Sequence, residues 1–352
     1  MQSRERVTLA LQHKEADRIA IQDSLWDTTA ARWQGEGMPD HPPHSEYFGW
    51  ELAGFGGDVT LQLPVECIEE TGTYKIAKGP DGAIVKNWKG QSSTPEMIGF
   101  TIKTRADWEA LRPRMAYNDT RINWQEQRSA YDDAQRLGLF TFASFYTGFT
   151  RTCDMCGTDT VLMAMADDPA WVQDMLMTRA ELCVHIAEQM MGRGFLFDAG
   201  WIWDDLGFKH RSFFSADMYR ELVMPAHKLI CGYFKARRKF MILHSCGYIM
   251  ELAPLIIETG FDCIQPIEVK AGNDLLGLKR RYGNELAFMG GIDVRAMADP
   301  DPSVIERELA EKIPIMKQGG GYIYHSDHSV PSNVSFQQYS RVRDLVAQYG
   351  RY

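Results

Sequence analysis

Beyond about residue 135 the chain alternates short apolar runs with longer amphipathic stretches, and no other feature constrains its fold as tightly. The runs lie at 138–145, 194–199, 240–243, 263–267, 286–289 and 321–324. Between them, apolar residues at helical spacing predict helices over 170–191, 216–235, 249–258, 274–282, 302–317 and 335–349. Six such runs, with one or two more from the N-terminal half, approach the eight strands that close a parallel barrel. An open dinucleotide-binding sheet is less consistent, because no G-x-G-x-x-G follows the first strand. The expected fold is therefore α/β, a (β/α)8 TIM barrel. Residues 1–110 form an N-terminal extension packed on a barrel at 111–352, the two making one structural unit. Within the extension, 3–13 reads as a helix and 59–63 as a strand.

Composition narrows the function classes. The 38 basic and 47 acidic side chains leave a net charge of −9, with no Lys/Arg stripe, which argues against nucleic-acid or anionic-membrane partners. Small molecules and other proteins are the expected partners. The seven cysteines are scattered and odd in number, and no apolar leader opens the sequence, so a reduced cytoplasmic setting is expected. No apolar run approaches the roughly 20 residues needed to cross a bilayer.

In a parallel barrel the chemistry sits where strands end at their C-terminal side. The residues following the runs are Asp198, then Trp203-Asp204-Asp205, His244-Ser245-Cys246-Gly247, Glu268, Asp293, and His325-Ser326-Asp327-His328. His244 and Cys246 stand two apart on an extended backbone, so both can face the mouth, and Gly247 lets the chain turn away. An imidazole and a thiolate side by side suit Zn2+, which in catalytic sites keeps one position open. The alternative is a hydrogen-bonded histidine beside a buried free cysteine. The third ligand is open among Asp327, His328 and Glu268, and Cys263 is a poorer donor because it lies inside an apolar run.

Other motifs carry less. The lone Cys153-Asp154-Met155-Cys156 pattern opens an apparent helix and reads as structural. Gly319-Gly320-Gly321 precedes a strand, so it reads as a turn and not a phosphate cradle. Gly290-Gly291-Ile292-Asp293 follows a strand, and Asp293 is either a site residue or a helix cap. Phe140, Phe142, Phe145, Tyr146, Phe149, Trp201 and Trp203 concentrate aromatic surface nearby, which suits a flat ligand. Tyr146 and Trp203, past the strand ends, are the best candidates to touch it.

Taken in order, several stretches resemble the uroporphyrinogen decarboxylase superfamily, and within it the corrinoid-linked, zinc-dependent methyltransferase branch. They are 4–7 and 13–19, Asp204-Asp205-Leu206-Gly207, 243–247, Gly260-Phe261-Asp262 with Gln265-Pro266, 290–293 and 327–331. The resemblance spans nearly the whole chain and implies a (β/α)8 barrel with an N-terminal extension. It also implies zinc on His244 and Cys246, completed in that branch by a cysteine on the last strand. Here the matching position is Asp327, which makes a harder, more oxygen-rich site. The decarboxylase's N-terminal arginine motif is missing, with Ser24-Leu25-Trp26-Asp27 in the comparable region.

The implied activity is methyl transfer between a small methylated compound, with a methoxylated aromatic favoured, and the cobalt of a corrinoid. A D-x-H-x-x-G corrinoid-binding pattern is absent, so the corrinoid is expected on a partner protein. The expected roles are metal binding for His244, Cys246 and Asp327, substrate contact for Tyr146, Trp203 and Asp205, and acid–base chemistry for Glu268 and Asp293. The rival readings are a metal-free decarboxylase-like lyase and a non-catalytic metal or corrinoid chaperone. The identity of the methyl donor, the direction of transfer and the oligomeric state, a homodimer included, stay open.

Overall fold

The computed structural model describes residues 1–90 and 95–352. β1 (Ala20–Ile21) and β2 (Leu52–Phe55) come first. A four-stranded antiparallel sheet follows: β3 (Glu66–Glu70), β4 (Tyr74–Lys78), β5 (Ile84–Trp88) and β6 (Glu96–Gly99). Then come β7 (Phe140–Tyr146), β8 (Ala199–Trp203), β9 (Phe240–His244), β10 (Cys263–Gln265), β11 (Ala287–Met289) and β12 (Tyr322–Tyr324). Eight strands form one parallel sheet in the order β1-β12-β11-β10-β9-β8-β7-β2. Its edges meet where Glu51 N donates to Ile21 O at 3.0 Å. Strand order around the ring is thus sequence order, as a βα repeat requires. Two of the eight strands come from the segment expected to be an extension.

Alternation along each strand sorts the side chains into two cores. Leu52, Phe140, Phe142, Ala199, Trp201, Ile242, Cys263, Ala287, Met289 and Ile323 fill the barrel interior. Their neighbours Ala143, Phe145, Ile202, Met241, Leu243, Ile264 and Phe288 face the surrounding helices. The first helix, Ser3–Leu11, contributes Val7, Ala10 and Leu11 to the interior cluster and so plugs one end of the barrel. Arg4 beside them pairs with Asp198 at 2.6 Å.

That pairing corrects the expected position of Asp198. The run at 194–199 is apolar, but the strand begins only at Ala199, so Asp198 precedes it and lies at the plugged end. Trp201 consequently sits inside the barrel. The expected strand at 59–63 is also absent: these residues form a loop pinned by Leu61 N donating to Asp81 Oδ1 at 2.9 Å. The helices fall close to their expected spans, Pro169–Gly192 and Pro302–Met316 among them. Among the described residues no helix is long and apolar enough to cross a membrane.

Candidate functional site

The last inward position of β9 is His244, held in register with Trp203 of β8 and Gln265 of β10. The chain leaves β9 through Ser245 and Cys246, and leaves β8 through Asp204 and Asp205. Two glycines let these exits touch. Gly207 N donates to Cys246 O at 3.2 Å, and a Cβ on Gly247, whose φ is +78°, would lie 2.2 Å from the Gly207 carbonyl carbon. Neither loop has room for a side chain there.

This approach gathers Asp205, His244 and Cys246 so that one ligand atom from each lies within 4.8 Å of the others. His244 Nε2 is 3.5 Å from Cys246 Sγ and 3.3 Å from Asp205 Oδ1. Cys246 N also donates to Asp205 Oδ1 at 2.8 Å, which fixes the carboxylate relative to the thiol. Burial, reinforced by the negative charges of Asp205 and Glu268, pushes the Cys246 thiol well above its ordinary range. A nitrogen, a sulfur and an oxygen donor with an open side match a three-ligand catalytic zinc site, and a divalent cation would offset the cost of forming the buried thiolate.

Beside the trio opens a cavity of about 510 Å3, within the range of small-molecule sites. Asp205, Cys246 and Glu268 form its polar wall, and Phe149, Phe208 and Phe213 its apolar one. The phenyl rings of Phe149 and Phe208 each pack against Phe213 at 5.3 Å. Glu268 Oε2 accepts from Gly247 N at 2.6 Å, and its Oε1 lies 3.0 Å from Lys270 Nζ.

Several expected residues lie elsewhere. Asp327 does not join His244 and Cys246: it is fully buried, and its two oxygens accept from Val269 N at 2.9 Å and Val294 N at 3.0 Å. Asp205, expected to touch substrate, is the carboxylate that stands with the pair. Asp293 caps the helix Val294–Ala298 through Arg295 N and pairs with the Arg295 guanidinium at 2.7 Å, so its capping alternative describes it. His328 stacks on Trp26 at 5.9 Å. Trp203 lies over the His244 ring at 4.6 Å and donates from Nε1 to Ser144 Oγ at 3.0 Å. Tyr146 borders a different cleft, next to Arg151 and the loop after β2. Cys153 and Cys156 are buried along the helix Gly148–Cys156.

The residues that sequence reasoning missed are supports. Asn273 Nδ2 donates to the carbonyls of Gly247 and Glu268, both at 2.9 Å, tying two mouth loops together. Asp204, passed over in favour of Asp205, accepts from Phe149 N and Thr150 N and so anchors the start of the cavity's aromatic helix. Gln265 and His325 lie behind His244.

Asp327 supplies a pH test of its structural role. Burial, opposed by the two backbone donors, pushes its carboxyl up to about 6. The folded chain therefore binds this proton more tightly than the unfolded one, so the stabilisation is complete below about pH 4 and is lost as pH rises through about 6. From pH 4 to 7 wild type should lose about 2 kcal/mol relative to Asp327→Asn. Denaturant midpoints of the two chains that stay parallel from pH 4 to 7 would contradict this assignment.

A family model described as uroporphyrinogen decarboxylase (URO-D) matches residues 90–349. A methylated-thiol–coenzyme M methyltransferase of Methanosarcina mazei is 32% identical over 83 residues, which make up 24% of this chain and 21% of that protein. The match thus spans about a fifth of that relative's length. A solved methyltransferase structure from Methanosarcina mazei shares the fold, with a TM-score of 0.68 over 99% of both chains at 14% identity. Since the matched family model covers well over half of the sequence, the chain belongs to the uroporphyrinogen decarboxylase (URO-D) family.

Proposed function

We propose that this chain is a zinc-dependent methyltransferase that moves a methyl group between a small methylated compound, a methoxylated aromatic by preference, and a corrinoid carried on another protein. The observation that carries this reading is the convergence of Asp205, His244 and Cys246 on one point at the edge of an aromatic-walled cavity. The methyltransferase names of the two Methanosarcina proteins support the reaction class.

Asp205, His244 and Cys246 would hold the ion. When bound, zinc supplies a Lewis acid for the heteroatom that bears the methyl group. Phe149, Phe208 and Phe213 flank a flat substrate and keep water from the reacting bond. The substrate's carbon–oxygen bond would break with its electron pair left on oxygen, and the partner's reduced corrinoid would supply the electron pair that accepts the methyl carbon. The released oxygen then takes one proton. The Lys270–Glu268 pair in the cavity wall would supply it, the proton leaving the Lys270 ammonium that Glu268 holds.

Two measurements test the proposal. Metal analysis of protein purified without chelators should find zinc near one equivalent. Less than about 0.2 equivalents would favour a metal-free lyase. Methoxylated phenols added with cob(I)alamin should yield methylcobalamin and the free phenol in equal amounts. Zinc without turnover on any methylated donor would leave a binding role instead.

A further inference from the structure

We propose that Gln265 and His325 are positioning residues whose hydrogen bonds set the direction in which His244 presents its lone pair, an assignment that rests on the metal reading above. The barrel interior makes the case. Ile242, Cys263 and Ile323 are inward residues of β9, β10 and β12, all fully buried among hydrocarbon. Two residues further along each strand line, the inward positions are His244, Gln265 and His325. Branched aliphatic residues usually fill such layers, and burying amide and imidazole groups there is costly unless each is hydrogen-bonded. Here each is.

The donors and acceptors can be ordered from one fixed end. His325 Nδ1 lies 2.6 Å from the carbonyl oxygen of Ser326, which only accepts, so Nδ1 carries the proton. His325 Nε2 is then an acceptor and takes a hydrogen from the Gln265 amide nitrogen at 3.2 Å. That orientation turns Gln265 Oε1 toward His244, where it accepts from Nδ1. His244 Nε2 is left without a proton, facing Cys246 Sγ and Asp205. Reversing the Gln265 amide would move the His244 proton onto Nε2 and cancel the metal ligand. It would also leave His325 Nδ1 and the Ser326 carbonyl as two acceptors in contact. One backbone carbonyl three strand ends away therefore decides the tautomer of the ligand. Asp23 steadies that far end: its Oδ1 lies 3.5 Å from His325 Nδ1 and accepts from Ser24 N at 3.0 Å, and its Oδ2 accepts from Tyr339 OH at 2.8 Å.

The test uses the full chain with selectively 15N-labelled histidine and zinc titrated against a chelator. In zinc-free wild type, the His244 signal, assigned by loss in His244→Gln, should report a proton on Nδ1. Gln265→Leu should mix the two tautomers and weaken zinc binding by about 10–100-fold, the usual cost of losing such a support. His325→Leu, which frees the amide to reverse, should show the same mixture with a smaller loss of affinity. A wild-type proton on Nε2, or Gln265→Leu binding zinc like wild type, would overturn the assignment. Should wild type bind no zinc, the metal reading fails by itself, while the tautomer still shows whether the hydrogen-bond chain runs as described. The wild-type spectrum needs no variant, so misfolding of either substitution leaves the assignment open to refutation.

Discussion

Replacing Cys246 or Asp205 by alanine is expected to strip zinc from the purified chain and abolish methyl transfer, whereas Asp327→Asn should keep both. The three substitutions separate two carboxylates that sequence alone leaves interchangeable. Asp205 Oδ1 lies 3.3 Å from His244 Nε2, and Cys246 N holds it there. The oxygens of Asp327 are both engaged by backbone N–H groups of other loops. Zinc sites built by several ligands are worth about 10–16 kcal/mol in small peptides, so each ligand removed should cost about 3 kcal/mol, roughly a hundredfold in affinity. Chelator competition measures that loss directly. Zinc lost from Asp327→Asn but retained by Asp205→Ala would reverse the ligand assignment and return the site to the arrangement implied by family resemblance.

The reason for that ambiguity is physical. The pairing of His244 with Cys246 was legible because two-residue alternation is a local property of an extended chain, and Ile242 in the interior fixes the parity. Which carboxylate joins them is not local. It depends on how closely the exits of β8 and β9 approach, and the only trace in sequence is a pair of glycines, Gly207 and Gly247, each of which leaves room for the other's backbone. The barrel itself was legible from alternating runs and helices. The offset at β8 arose because Phe195 and Phe197 are buried and apolar yet precede the strand, so hydrophobicity alone placed it early and put Asp198 at the wrong end. The antiparallel sheet went unseen for the opposite reason: β3 is exposed along its whole length, so no buried face imposed an alternation to detect.

Asp204→Ala is expected to produce the largest stability loss of any single substitution near the site, about 3–5 kcal/mol, without removing a metal ligand. Asp204 is wholly buried, and its Oδ2 accepts from Phe149 N at 3.0 Å and from His227 Nε2 at 3.0 Å, while Oδ1 accepts from Thr150 N at 2.7 Å. Truncation leaves all three donors buried without a partner, which costs more than the net worth of the bonds themselves. His227 in turn bonds through Nδ1 to Tyr219 OH at 3.1 Å, and Tyr219 to Thr259 Oγ1 at 3.2 Å, so the loss spreads into a neighbouring helix pair. Tyr219 opens a π-helical turn, Tyr219–Val223, set within the helical stretch that carries His227. The effect should also reach the site. Thr150 Oγ1 accepts from Asp205 N at 2.6 Å, so freeing the start of the helix Gly148–Cys156 loosens the carboxylate that faces His244. Zinc affinity should therefore fall in Asp204→Ala, but by less than in Asp205→Ala. Equilibrium denaturation of Asp204→Ala, His227→Ala and the double variant measures the coupling, because the second substitution removes one of the donors that the first leaves stranded. Single effects that simply add would mean that the Asp204–His227 contact contributes nothing of its own, and that helix capping accounts for the whole loss.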